Sequence, residues 1–398
     1  MRTRTYRTAL LSTLLLAGCT PRETMPELTD RVFAVAAAQY EQLEGRLTDE
    51  TLPRSVASDG KFIPSNIRWW CSGFYPGSLW YIYEYTGDKT FRELAEKNTF
   101  KLYPLKQKGT DHDLGFQMNC SFGNAYRITG EQKYLEPIHT SARVLAGRFS
   151  PVTGVIRSWD FVRKGRDWRY PVIIDNMMNL ELMFKATEFS GDSTYYNIAV
   201  KHADRTMKEH FRDDYSCYHV VDYDLTTGDV RGRCTAQGYA DDSAWARGQA
   251  WAVYGYTACY RYTGDKRYLD HARKVTGFML GDQNMPADLV PYWDYDAPNI
   301  PNEPRDVSTA AIIASAFYEM YTYTGDGLYK QKADRIVESL SSPAYRAPVG
   351  GNGGFLLMHS VGSIPHGSNI DVPLNYADYY FLEALIRKGR VEAGEPLF

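Results

Sequence analysis

The sequence predicts an all-α fold, an (α/α)6 barrel in which six helical hairpins close into a toroid. A repeated turn is the first observation. Glu84-Tyr85-Thr86-Gly87-Asp88 returns as Arg127-Ile128-Thr129-Gly130-Glu131, Glu188-Phe189-Ser190-Gly191-Asp192, Arg261-Tyr262-Thr263-Gly264-Asp265 and Thr322-Tyr323-Thr324-Gly325-Asp326. The copies stand roughly 43 to 73 residues apart, which indicates repeated units of one kind. The second observation is what flanks them. Each copy follows an apolar helical pattern and precedes an amphipathic one, such as Lys266-Arg267-Tyr268-Leu269-Asp270-His271-Ala272. Glycine suits the left-handed position that ends a helix, and the Asp or Glu after it favours a new helix start. Each copy therefore reads as the turn of a hairpin with an apolar inner helix and an amphipathic outer one. Residues 376–387 supply a sixth inner helix, and residues 29–43 a helix at the other end. Twelve helices close most economically as a ring; an open solenoid is the competing arrangement.

The ends carry other signals. Arg2, Arg4 and Arg7 precede an apolar run over residues 9–17, which reads as a secretory leader too short to anchor the mature chain across a bilayer. It ends Leu16-Ala17-Gly18-Cys19, which resembles the bacterial lipoprotein cleavage box. The expectation is a signal peptide over residues 1–18, a lipidated Cys19, a tether over 19–28 and one catalytic domain over 29–398. Such a protein works outside the cytoplasm, in the periplasm or at the outer membrane, and touches membrane only through its lipid. An ordinary signal peptide with a chance cysteine is the alternative.

A net charge of −3 gives no footprint for nucleic acid or for an anionic membrane surface. Aromatic residues make up 14% of the chain, with 31 Tyr and 8 Trp, enough to suggest sugar-stacking surfaces as well as core. Cys71, Cys120, Cys217, Cys234 and Cys259 show no metal-type spacing and read as small buried hydrophobes, with one disulfide open as a possibility.

Roughly 15 to 22 residues before each turn glycine stands a polar or aromatic cluster. These are Trp69-Trp70-Cys71-Ser72-Gly73, Asp111-His112-Asp113, Asp175-Asn176, Asp241-Asp242-Ser243 and Arg305-Asp306-Val307-Ser308. That separation is one helix length, ~25 Å, so the clusters should share one rim at the N-terminal ends of the inner helices. Asp113 and Asp175 stand out because each leads into an apolar helix, where an unused carboxylate is costly. Two carboxylates in one pocket can split their pKa values and leave one protonated. For Asp175 a plain helix cap is the alternative. Ser243, Arg247 and Trp251 recur every four residues and form one helical stripe, with a guanidinium for a sugar carboxylate and a ring for its face. A structural Arg on a core Trp is the alternative there. No zinc-protease helix, nucleophile elbow, phosphate loop or dinucleotide fingerprint is present, so no metal or cofactor is expected.

Several segments together resemble the unsaturated glucuronyl hydrolases, glycoside hydrolase family 88. They are Trp70-Cys71-Ser72-Gly73-Phe74-Tyr75-Pro76-Gly77, His112-Asp113-Leu114-Gly115-Phe116, Ile174-Asp175-Asn176-Met177-Met178-Asn179, Tyr218-His219-Val220, Thr235-Ala236-Gln237-Gly238, Trp245-Ala246-Arg247-Gly248-Gln249-Ala250-Trp251 and Asp371-Val372-Pro373. The resemblance implies a barrel of this kind that removes a 4,5-unsaturated uronic acid from the non-reducing end of lyase-generated oligosaccharides. It implies Asp113 and Asp175 as the catalytic aspartates. It implies Trp69 or Trp70, Trp159, His219, Thr235, Gln237, Arg247 and Trp251 as sugar contacts. Ser360 and Ser363 match a loop that touches the neighbouring sugar; where relatives preferring sulfated substrates carry a Lys, this chain has Pro365 and then His366.

The chemistry so implied suits the residue types. The unsaturated ring is a vinyl ether, and Asp175, protonated, would deliver a proton to C4 while water adds at C5. The hemiketal opens and the glycosidic bond breaks with no covalent enzyme intermediate. Asp113 would bind ring hydroxyls and keep Asp175 protonated by repulsion, and Met177 and Met178 would desolvate it. Glycosaminoglycan-type fragments are the expected substrate. An unsaturated rhamnogalacturonyl hydrolase acting on pectin fragments, an inverting glycosidase on saturated sugars and a non-catalytic glycan-binding lipoprotein are the alternatives.

Overall fold

The computed structural model describes residues 24–57, 59–161 and 165–398; the leader and Cys19 lie outside them. Among the described residues, twelve α-helices are arranged as inner and outer members of a ring. The outer helices are α1 (Met25–Glu44), α3 (Lys89–Lys101), α5 (Leu135–Ala146), α7 (Ser193–Glu209), α9 (Lys266–Gly281) and α11 (Gly327–Ser341). The inner ones are α2 (Phe74–Thr86), α4 (Asn124–Thr129), α6 (Leu180–Ser190), α8 (Ala246–Thr263), α10 (Val307–Thr324) and α12 (Asn375–Ala393). Residues 25–28, expected in the tether, belong to α1, where Thr24 and Glu27 form a reciprocal capping box.

The burial pattern separates the two rings. Every residue of α10 from Val307 to Met320 is buried, whereas α7 buries one stripe at Tyr195, Ala199, His202, Ala203 and Thr206. All five turn glycines, Gly87, Gly130, Gly191, Gly264 and Gly325, are left-handed, with φ between 65° and 72°. Asp88, Asp192, Asp265 and Asp326 each cap the next helix through the side chain; Glu131 does not, and a short 3-10 turn precedes α5 instead. The hydroxyl before each glycine closes the turn from both sides. That of Thr86, Thr129, Ser190, Thr263 or Thr324 donates to the carbonyl four residues back and accepts the N–H two residues on.

Two inner helices open irregularly. A π-helix, Gly115–Gly123, leads into α4, and a 3-10 segment, Ile174–Asn179, leads into α6. Glycines let these ends meet. A Cβ on Gly115 would lie 2.5 Å from the Asn179 Cα, and one on Gly73 would lie 2.2 Å from the Phe116 carbonyl oxygen. Asn179 locks the first contact by accepting the Phe116 N–H at 3.0 Å.

Small antiparallel sheets, absent from the sequence-based expectation, decorate the ring. They pair β1 (Leu52–Val56) with β2 (Phe62–Ser65), β3 (Phe149–Ser150) with β4 (Val155–Ile156), and β8 (Ser360–Ser363) with β9 (Ser368–Val372). The largest has the order β5 (Pro171–Ile173), β6 (Val220–Tyr223), β7 (Val230–Cys234). The ring closes between α2 and α12. Tyr81 donates to Glu383 at 2.9 Å and Asn375 donates to the Cys71 carbonyl at 2.9 Å, pairs separated by 302 and 304 residues. Deeper in the barrel, Arg261 holds Glu319 with two bonds (2.7 and 2.8 Å) and Glu181 with a third (2.6 Å), while Arg387 reaches the same Glu319 at 2.9 Å. The five internal cysteines are buried and unbridged. Among the described residues, no helix is long and apolar enough to cross a membrane.

Candidate active site

A cleft of about 340 Å³ opens on the rim where the inner helices begin. Asp113, Asp175, Trp69, Trp70, Trp159, Gln237, Arg247 and Ser363, all expected from sequence, line it. Asp111 and His112, expected on the rim but given no role, line it as well, together with Lys108 and Tyr376, which the sequence did not single out for the site.

Asp175 sits at the second position of the 3-10 segment, directly after β5. Pairing of Ile173 with Val220 brings His219 alongside, and its carbonyl accepts the Ile174 N–H at 3.0 Å. The His219 Nε2 then lies 3.5 Å from Asp175 Oδ2. Its Nδ1 faces two N–H donors, those of Ala236 (3.0 Å) and Gln237 (3.1 Å). A nitrogen that accepts two donors carries no proton, so the imidazole is neutral and its N–H is on Nε2, toward Asp175. His219 is thus an orienting group behind the carboxylate.

Asp113 precedes the π-helix, with His112 Nε2 3.4 Å from its Oδ1. Its own N–H donates to Asp111 Oδ1 at 3.1 Å, and Lys108 grips that same Asp111 carboxylate at 2.8 Å. Burial pushes the Asp113 carboxyl well above the usual range, and the charges of Asp111 and Asp175 add to this against Lys108. Burial acts on Asp175 in the same direction. There, however, the hydrogen bond from His219, with His112 and Arg247, outweighs it and brings the carboxyl down. His112 is itself pushed by burial to about 4 and is neutral near pH 7, so the bond from His219 and the Arg247 charge are what remain. These directions run opposite to the expectation that Asp113 keeps Asp175 protonated: of the two, the Asp113 carboxyl is the one raised and the Asp175 carboxyl the one lowered.

Arg247 is not a free anion clamp. It is 1% exposed, and its two terminal nitrogens are both engaged: Nη1 by Asp306 (3.0 Å) and the Val361 carbonyl, Nη2 by Gln237 (2.9 Å) and the Gly362 carbonyl (2.7 Å). It ties β8 and the loop after β7 to α8. Gln237 reaches the cleft through this arrangement. Trp251 does not reach it. The ring is fully buried against Phe116 (5.2 Å) and Tyr380 (5.5 Å), because four residues along α8 is one turn deeper into the barrel. Thr235 lies outside the cleft too, its hydroxyl accepting the Gly238 N–H at 2.8 Å. Ser360 is buried at the start of β8, whereas Ser363, three residues on, pairs with His366 at 2.6 Å on the cleft wall. Ser243 donates to Asp294 at 2.8 Å rather than joining an Arg247 stripe.

The aromatic wall is held from behind. The Arg54 guanidinium stacks on Trp69 at 3.9 Å, and Trp70 packs on Tyr376 at 4.9 Å and Phe116 at 5.4 Å. Among the described residues no cluster of three or more His, Cys, Asp or Glu is placed to hold a metal ion. The arrangement offers an acid and a carboxylate in one aromatic, partly desolvated cleft, which suits proton transfer to and from a sugar ring.

Comparison with known proteins agrees with this chemistry. The profile of glycosyl hydrolase family 88 matches residues 45–258. The chain is 45% identical over 362 residues to an unsaturated glucuronyl hydrolase of Formosa agariphila, covering 88% of this chain and 90% of the relative. It is 33% identical over 346 residues to an unsaturated chondroitin disaccharide hydrolase of Streptococcus pneumoniae, covering 85% and 86%. The solved structure of an unsaturated glucuronyl hydrolase specific for heparin superposes with a TM-score of 0.90 at 44% identity, over 92% of this chain and 98% of that one.

Proposed function

The chain belongs to glycoside hydrolase family 88, and we infer that it releases a 4,5-unsaturated uronic acid from the non-reducing end of lyase-generated glycosaminoglycan fragments. The reaction is hydration of the C4=C5 double bond. One observation carries the assignment of roles: two aspartates of opposite pKa tendency share one cleft, with a neutral His219 N–H directed at one of them.

In the proposed cycle the anionic ring enters beside Asp175 and expels water. Added negative charge and desolvation both favour the protonated form of Asp175. Asp175 then gives its proton to C4, and positive charge develops at C5 next to the ring oxygen. Ionised again, and oriented by His219, it takes a proton from the water that adds at C5. The resulting hemiketal opens and the leaving sugar departs with its glycosidic oxygen. Asp113, protonated, donates a hydrogen bond to a ring hydroxyl. Trp69, Trp70 and Trp159 supply the faces against which the ring packs.

The isotopic test separates hydration from ordinary glycoside cleavage. In D₂O the released uronate should carry deuterium at C4, and a saturated glucuronide of the same linkage should be inert. Equal cleavage of the saturated sugar, with no label at C4, would defeat the hydration reading.

We also propose that Cys19 is lipidated and tethers the enzyme outside the cytoplasm, on the strength of Leu16-Ala17-Gly18-Cys19 after a basic, apolar leader. Cys19→Ala should release active enzyme from membranes; a variant that still fractionates with membrane would remove the anchor.

A further inference from the structure

We propose that the Tyr376 hydroxyl is a substrate ligand, which donates a hydrogen bond to the C5 carboxylate of the unsaturated uronate and fixes that end of the ring beside Asp175. The proposal rests on the reading of the cleft as the seat of that sugar. An anionic ring needs donors for its carboxylate, and the buried cations of the cleft are already engaged. Arg247 is held by Asp306, Gln237 and two carbonyls, and Lys108 by Asp111 at 2.8 Å. Tyr376 is different. It lines the cleft, is 2% exposed, and its hydroxyl bonds to none of the described residues. Other buried tyrosines of the barrel use theirs: Tyr81 and Tyr254 both donate to Glu383, at 2.9 and 3.1 Å. Nor is the Tyr376 oxygen sealed in. Among the described residues, the tyrosine hydroxyls that are both sealed and unpartnered are those of Tyr134, Tyr223 and Tyr295. That of Tyr376 opens on the cleft, where water or a ligand has to meet it.

The fold holds this side chain in place. Tyr376 is the second residue of α12, and its neighbour Asn375 donates to the Pro53 and Cys71 carbonyls (3.1 and 2.9 Å), which pins the turn against the wall that carries Trp70. The ring packs on Trp70 at 4.9 Å and on Phe74 at 6.0 Å, and the Arg247 guanidinium lies 5.4 Å from its centre. Burial, more than the nearby charges of Arg247 and Asp175, holds the hydroxyl far above the usual tyrosine range, so it stays a donor at neutral and acidic pH.

A neutral donor suits this carboxylate. The group is conjugated to C4=C5, and positive charge develops at C5 when C4 takes its proton. A guanidinium paired with it would cancel the negative charge that favours that cation. A hydroxyl orients the carboxylate and leaves most of its charge in place.

The test compares wild type with Tyr376→Phe, which keeps the ring and its packing and removes only the oxygen. The probes are an unsaturated disaccharide released from a glycosaminoglycan by a lyase and the methyl ester of the same disaccharide, the ester measured as a competitor of the acid. Tyr376→Phe should lower kcat/KM for the acid roughly ten- to hundredfold, mostly through KM, the scale of a hydrogen bond to a charged group. Binding of the ester should weaken by only about three- to tenfold, because a hydrogen bond to an uncharged acceptor has about half that strength. The unfolding temperature should be unchanged, since the hydroxyl holds nothing in the protein. Equal losses on acid and ester, or none on either, would overturn Tyr376 as the ligand of the carboxylate. A wild type inert toward the acid would instead overturn the uronate reading beneath it.

Discussion

At the mouth of the barrel Asp175 is buried and Asp113 largely so with no full ionic partner, whereas deeper inside Glu319 and Glu383 are buried, and Glu181 largely so, among Arg261, Arg387 and Lys185. The chemical groups are the same and the consequences are opposite. Arg261 and Arg387 surround Glu319 with three bonds, and Glu181 is drawn down to about 2, against its burial, by Lys185, Arg261 and Arg387. Glu181 and Glu319 stay charged and serve the ring. At the mouth, neutral histidines stand where arginines stand below. A neutral imidazole orients a carboxylate without fixing its charge, and a group that must give and take a proton needs that freedom.

The contrast can be broken from either side. The largest effect is expected at the mouth. Asp175→Asn should lower kcat by ~10²–10⁴-fold, the span of general acid–base assistance, with little change in thermal unfolding. Retention of a tenth of the rate would leave Asp175 as no more than a helix-start residue. Asp113 is held above the usual carboxylate range, so its protonated form persists into mildly acidic and higher pH; activity should fall as pH rises through that raised value. Asp113→Asn should remove that alkaline limb from the profile.

Next in size is Glu319→Ala. It strands Arg261 and Arg387 without their shared partner, and removal of one member of a buried network costs about 3–5 kcal/mol. Denaturant unfolding should show that loss while KM in the folded fraction stays near wild type. A variant with normal stability and damaged kinetics would erase the distinction between the two ends.

Arg247 joins the two regions. Its guanidinium is spent on Asp306, Gln237 and two carbonyls, so Arg247→Ala should cost about 1.5–3 kcal/mol of stability and raise KM by freeing β8 and Gln237 together. An unchanged unfolding midpoint with weaker binding would restore it as a direct contact to the sugar acid.

The smallest effect is on stability against pH. Asp378 accepts the N–H groups of Leu356 and Leu357, both at 2.9 Å, and burial pushes its carboxyl to about 7; Asp294 is pushed by burial to about 6. A carboxyl raised on folding contributes stability that is complete below its unfolded value and is lost as pH rises through the folded one. Glu181 works in the other direction, its contribution lost as pH falls below the ordinary carboxylate value toward about 2. The unfolding temperature should therefore peak on the acid side of neutrality and decline between about pH 4 and 7. Asp378→Asn should flatten that decline, whatever stability it loses at every pH.

What the sequence disclosed follows from how local each determinant is. The turns were legible because Thr86, Gly87 and Asp88, and their four counterparts, act within a few residues of one another. Asp113 and Asp175 were legible as costly groups at the starts of apolar helices. The site of the proton was not, because it depends on Lys108 and Asp111 from one loop and on His219 from β6's flank, which the chain alone does not place together. Arg247 misled for the same reason. Its spacing to Trp251 is visible in the sequence, but its partners Asp306 and Val361 are 59 and 114 residues away. The strands escaped notice because they are two to five residues long and are made by cross-chain pairing rather than by alternation.

The seam between α2 and α12 also bears on how the chain acquires its shape over time. Tyr81 meets Glu383 and Asn375 meets the Cys71 carbonyl only after some 300 intervening residues exist. Hairpins can form early from neighbouring sequence, yet the ring cannot close until the last helix has been made, and loops of that span are slow to join. A ribosome-bound chain would therefore present unclosed inner helices, apolar all round, for most of its synthesis. Truncation just before Asn375 should leave hairpins that associate with one another or with chaperones instead of a smaller barrel.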